Sequence, residues 1–96
     1  MLFALLCTDK PNSLDLRMNV RPDHLAYLNG LGDRMKFAGP FLDDAGSAIG
    51  SLVVVEAENR AGAEAIAAAD PYKKAGLFSG VEIKAWRWAL KNPEGA

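Results

Sequence analysis

The chain has 96 residues, half of them hydrophobic and 24% charged, with a net charge of −1. That describes one small domain, which on folding hides roughly 60–65% of the surface its unfolded chain exposes. Acids and bases are interspersed, so no basic patch supports a nucleic-acid partner, and no apolar run reaches transmembrane length, so no membrane partner is expected.

Residues 2–8 form an apolar run on both parities and read as a strand buried on both faces. No basic residue precedes the run and charges follow it at once. It is therefore a strand rather than a signal peptide, and the protein is expected to be cytoplasmic. Cys7 is the sole cysteine, so no intramolecular disulfide is possible; it reads as a small buried apolar residue. Thr8 to Asn12 carries turn chemistry. Ser13 is placed to cap a helix running toward Val20, and Pro22 should break that helix or start a new one. The helical pattern then runs through Asp33, with Leu25, Leu28 and Leu31 as a core stripe and Gly32 as its C-cap.

Lys36 to Leu42 reads as a second strand, and Gly39-Pro40 within it points to a sheet edge or a bulge. Asp43 to Ser47 is a turn. Ile49 to Ala57 is a third strand, β-branched and apolar on both parities through Leu52-Val53-Val54-Val55. Asn59 caps a second helix over residues 60–69, which Asp70-Pro71 ends. Tyr72 to Gly80 is a loop with room for a helical turn, and Val81 to Trp88 is the last strand. Residues 91–96 look like a frayed polar tail, leaving a single domain over residues 1–90.

The order β-α-β-β-α-β predicts a ferredoxin-like α+β protomer, an antiparallel four-stranded sheet with both helices on one face. The other face would then carry Trp86, Trp88, Leu52 and Val54. A contiguous apolar patch of that kind is seldom left in water, so a second copy packed sheet to sheet is expected.

His24 is the only histidine. It excludes a metal site built on two histidines, and it is the side chain suited to proton transfer near neutral pH. There is no P-loop, no GxGxxG and no paired-cysteine motif, so neither metal nor cofactor is expected. Arg17, Arg21, His24 and Leu28 fall at i, i+4, i+7 and i+11, and share one helical face if Pro22 does not turn the axis. Such a face is either an anion-accepting corner or a solvated charged face with a histidine at its edge. Asp70, at the end of the second helix, would face the negative end of that helix's dipole, a hint that another partner holds it there. The two helices lie side by side in this fold, and a carboxylate that meets an imidazole orients it and stabilises its cation. The spacing alone does not bring the two residues together.

The opening strand, Arg21-Pro22-Asp23-His24-Leu25, Ala38-Gly39-Pro40 and Ala69-Asp70-Pro71-Tyr72 with Ala75-Gly76-Leu77 resemble, in order over residues 1–88, the YciI-like (YCII-related) proteins. The resemblance implies a dimeric α+β barrel of ferredoxin-like protomers. It also implies a pocket in which His24 and Asp70 sit together, with Arg21, Gly39, Pro40 and Tyr72 on the family's other motif positions. The short turn Asp43–Ser47 is a departure at the rim of that pocket. The expected function is a cofactor-free enzyme using His24 and Asp70 for acid–base chemistry on a small anionic organic molecule. Arg21 and Arg17 would hold the anion, and isomerisation, elimination and hydrolysis are all open. The alternative is a non-catalytic metabolite-binding or assembly module on the same homodimeric fold.

Overall fold

The computed structural model describes residues 1–93. Its elements are β1 (Leu2–Asp9), α1 (Leu14–Gly30), a 3₁₀ turn (Gly32–Arg34), β2 (Met35–Leu42), β3 (Ala48–Glu56), α2 (Arg60–Ala68), α3 (Pro71–Lys74) and β4 (Phe78–Trp86). The four strands lie in the order β2-β3-β1-β4 and every neighbouring pair is antiparallel. This is the ferredoxin-like α+β arrangement. No helix among the described residues is long and apolar enough to cross a membrane.

The core lies between the sheet and the helices. Phe3, Leu5 and Cys7 of β1, Val53 and Val55 of β3 and Ile83 of β4 meet Leu28, Leu31, Ala63, Ile66, Tyr72 and Leu77. The residues from β1 and β3 alternate along their strands, as the pleat requires. The Tyr27 hydroxyl ties α1 to α2 by donating to the Ile66 carbonyl at 2.8 Å. At the start of α2, the Asn59 side chain accepts from the Gly62 amide at 3.0 Å, as its capping position predicts.

Three local expectations are corrected. Helix α1 runs unbroken through Pro22. The hydrogen bond that proline cannot make would go to Met18, which is 59% exposed, so the orphaned carbonyl lies on the wet side of the helix and water can satisfy it. Ser13 sits at the N-cap, but its hydroxyl turns back to the Pro11 carbonyl and caps nothing. Strand β4 begins at Phe78, three residues earlier than its β-branched pattern suggests, and ends at Trp86, leaving Trp88 beyond it. A register shift between Thr8 and Asp9 absorbs the early start. The Leu31 C-cap is followed by Gly32 at φ +60°, the left-handed position at which glycine ends helices.

Pro40 lies on β2, which is an edge strand, the position at which a sheet tolerates proline. On the side of the sheet away from the helices, Ala4, Val54 and Phe37 are cross-strand partners. Ala4 and Val54 are nonetheless buried. Phe37 meets Trp86 at 5.5 Å and Trp88 at 5.3 Å between ring centroids, and the two tryptophans meet at 5.0 Å. The aromatic trio covers the middle of this face from within the chain.

Candidate active site

Because α1 is continuous through Pro22, Arg17, Arg21, His24 and Leu28 do share one face. Arg17, His24 and Leu28 are its buried residues. His24 is 6% exposed and Asp70 5% exposed. The imidazole Nδ1 stands 2.8 Å from Asp70 Oδ1 and 3.0 Å from Oδ2. An ionised carboxylate only accepts, so Nδ1 carries the hydrogen and donates it, and Nε2 is the nitrogen left for chemistry.

Asp70 has a second task. It is the N-cap of α3, with extended backbone geometry, and its Oδ1 accepts from the Tyr72 amide at 2.9 Å. Pro71 at the first helical position supplies the fixed φ that such a start favours. The carboxylate therefore stands at the start of one helix as well as the end of another, and it is bound from two sides. The dipole clash predicted from α2 is relieved by this cap.

Tyr72 is 1% exposed and lies flat on the imidazole, with ring centroids 3.9 Å apart and an interplanar angle of 18°. The Arg17 guanidinium carbon lies 4.8 Å from the centre of the same tyrosine ring. Burial pushes the Tyr72 phenol above its ordinary range, against the pull of Arg17 and Arg21, so it stays a hydrogen-bond donor at neutral pH. Arg17 is itself buried. Its Nη1 donates to both carboxylate oxygens of Asp9, at 3.0 and 2.9 Å, and its Nη2 donates to Ser51 Oγ at 2.6 Å. Beneath this group Cys7 is buried. Desolvation, then the charges of Asp70 and Asp9, push its thiol up to about 12.

A cavity of about 200 Å³ opens on these residues. Arg17, Arg21, His24 and Tyr72 supply its polar side, Leu25, Leu28 and Val53 its apolar wall, and Gly39 and Pro40 of β2 its outer edge. Arg21 is exposed and makes no hydrogen bond or ion pair among the described residues. The turn at Asp43, whose Oδ1 accepts from the Ala45 and Ser47 amides, both at 2.9 Å, contributes no residue to the lining of this cavity. Among the described residues no cluster of histidine, cysteine and carboxylate side chains could hold a metal ion.

The YCII-related domain matches residues 1–87, nearly all of the described chain. This protein belongs to the YCII-related family. Protein YciI of Escherichia coli O6:H1 is 41% identical over 95 residues, covering 91% of this chain and 97% of that protein. An uncharacterized protein of Haemophilus influenzae is 36% identical with the same coverage. Among solved structures, 5-chloro-2-hydroxyhydroquinone dehydrochlorinase (TftG) from Burkholderia phenoliruptrix AC1100, in complex with 2,5-dihydroxybenzoquinone, superposes with a TM-score of 0.84. It is 33% identical and is matched over 93% of this chain and 96% of its own. The Agrobacterium tumefaciens protein Atu4242 shares the fold alone, at a TM-score of 0.56 and 15% identity.

Within this YCII-related chain, then, His24, Arg17, Arg21, Gly39, Pro40 and Tyr72 all border one cavity, and Asp70 stands behind His24 rather than on the wall. Arg17 is brought to the cavity with its Nη1 held on Asp9 and its Nη2 on Ser51. Those last two residues were not among the sequence candidates. Both carry a signal in hindsight: Ser51 is a polar residue on the same parity as the inward Val53 and Val55, and Asp9 continues the inward parity of Phe3, Leu5 and Cys7.

Proposed function

We propose that this protein is a lyase-type enzyme in which His24 moves a proton and Asp70 fixes the imidazole, acting on a ring-sized, acidic, oxygen-bearing molecule. The observation that carries the reading is the buried Asp70–His24 contact, which leaves Nε2 as the free nitrogen of a cavity-lining imidazole. The cavity, about 200 Å³, is smaller than the roughly 300–1,000 Å³ of drug-sized sites and suits a single ring. Apolar walls would hold the ring's faces. The Tyr72 hydroxyl and Arg21 would hold oxygen atoms at its edge, and a charge-assisted contact from Arg21 favours an anion. Elimination is preferred over isomerisation or hydrolysis because the dehydrochlorinase is similar over nearly the whole chain. Loss of hydrogen halide needs a base for the proton, while the halide leaves with its bonding pair. His24 Nε2 is that base, and Asp70 stabilises the imidazolium as it forms.

The same reading includes a two-fold dimer, with the sheet faces that bear Phe37, Trp86 and Trp88 packed together as a barrel. Leu6 and Leu52 on that face remain half-exposed in the single chain, and pairing would remove them from water.

The test uses the dehydrochlorinase's own compounds. Calorimetric titration with 2,5-dihydroxybenzoquinone should show one site per chain, and 5-chloro-2-hydroxyhydroquinone should release chloride. Tight binding with the compound recovered unchanged would favour a binding module instead.

A further inference from the structure

Arg17 and His24 are seven residues apart on α1, two helical turns or about 10.5 Å of rise. That spacing leaves room for one flat group between the two side chains, and the Tyr72 ring occupies it. On one side lies the imidazole, 3.9 Å away and nearly parallel; 4.8 Å from the ring centre lies the guanidinium carbon. The guanidinium is held in place at the cavity wall. It is 5% exposed at the residue level, paired with Asp9 and bonded to Ser51. The two ends of the stack are held by carboxylates from different elements, Asp9 at the end of β1 and Asp70 at the start of α3.

We infer that Arg17 is a positioning residue for His24, acting through the Tyr72 ring, and not the anion ligand that its place in the sequence suggests. Asp70 fixes the edge of the imidazole; Tyr72 fixes its face. A face contact of this kind holds the ring only if the tyrosine is itself kept from sliding. The planar guanidinium does this by cation–π attraction, strengthened where both partners are out of water. Ser51 keeps the guanidinium in plane, so the chain Ser51–Arg17–Tyr72–His24 sets where Nε2 points. Its importance for turnover rests on the reading of His24 as the proton carrier, but the link itself can be measured without any substrate.

The measurement is long-range ¹H–¹⁵N NMR of the imidazole, unambiguous because the chain has one histidine. In the wild-type protein the ring protons should lie upfield of free histidine because of the tyrosine beneath them, with a single Nδ1–H tautomer. Arg17→Lys keeps a cation opposite Asp9 but removes the planar group. The His24 ring signals should move toward their free positions and broaden, as they should in Tyr72→Leu, while amide dispersion persists. Ser51→Ala should move them in the same direction by less. His24 signals unmoved in Arg17→Lys would overturn the proposal, whatever Tyr72→Leu does. If Arg17→Lys does not fold, Ser51→Ala decides by the same signals, and unmoved signals there overturn it. A protein that shows the shifts but releases no chloride loses the catalytic reading and keeps the positional link.

Discussion

At the scale of single residues, the site is a set of buried charges, each with a named partner. Arg21 is the exception: exposed at the cavity and without a partner among the described residues. A charge-assisted hydrogen bond contributes about 1.5–3 kcal/mol, so Arg21→Ala should weaken 2,5-dihydroxybenzoquinone binding by roughly 10- to 100-fold with the melting temperature unchanged. Unaltered affinity in a calorimetric titration would remove Arg21 from the site. Cys7 predicts the opposite of reactivity. With its thiol raised from 9.0 to about 12, it should resist iodoacetamide at pH 8 in the folded protein and react only after denaturation. The linked effect on stability follows in sign. The folded state favours the neutral thiol, so that stabilisation is complete below about pH 9 and is lost as pH rises toward about 12. Burial raises Tyr27 and Tyr72 in the same sense. Denaturant midpoints measured from pH 8 to 11 should fall, and Cys7→Ala should fall less steeply over that range. An equal slope in the two proteins would mean that the thiol is not coupled to folding.

At the scale of elements, caps and turns decide where the functional side chains stand. Asn59 accepts from the Gly62 amide, and Asn59→Ala should cost about 1 kcal/mol, lowering the melting temperature by roughly 4–8 °C for a domain of this size. It should leave 2,5-dihydroxybenzoquinone binding unchanged, because neither Asn59 nor Gly62 lines the cavity. Much of this level was legible in the sequence. Apolar and β-branched runs bounded by turn residues located all four strands, and capping residues and helical spacing located both longer helices. The failures are local and physical. Pro22 marks a helix break only where the lost hydrogen bond cannot be made up by water, and here it lies on the wet side. The short helix α3 has too few residues for any periodicity to show, so Asp70 read as the end of a helix when it is also the start of another. The contact of His24 with Asp70 spans 46 residues. No local pattern encodes such a pair; the fold order allowed it and the family resemblance implied it. The Tyr72 ring between Arg17 and His24 was invisible for the same reason.

At the scale of the whole molecule, the sheet has one face covered by helices and another covered only in part. Phe37, Trp86 and Trp88 close over Ala4 and Val54, while Leu6 and Leu52 stay half-exposed. If the proposed barrel forms, sedimentation at micromolar concentration should give twice the mass of the chain, and Leu52→Glu should give the monomer by placing a charge in the buried face. A monomeric wild-type protein would contradict the barrel and leave the single-chain cavity to do its work alone.

The central claim is that His24, oriented by Asp70, moves the proton in an elimination. The most direct measurement is the rate of chloride release from 5-chloro-2-hydroxyhydroquinone by the wild-type protein, Asp70→Asn and His24→Ala, each shown to be folded. Positioned acid–base groups contribute about 10²–10⁴ in rate, so His24→Ala should fall by that factor, and Asp70→Asn should fall substantially while still binding 2,5-dihydroxybenzoquinone. Chloride release by His24→Ala at the wild-type rate, or none from the wild-type protein, would contradict the claim.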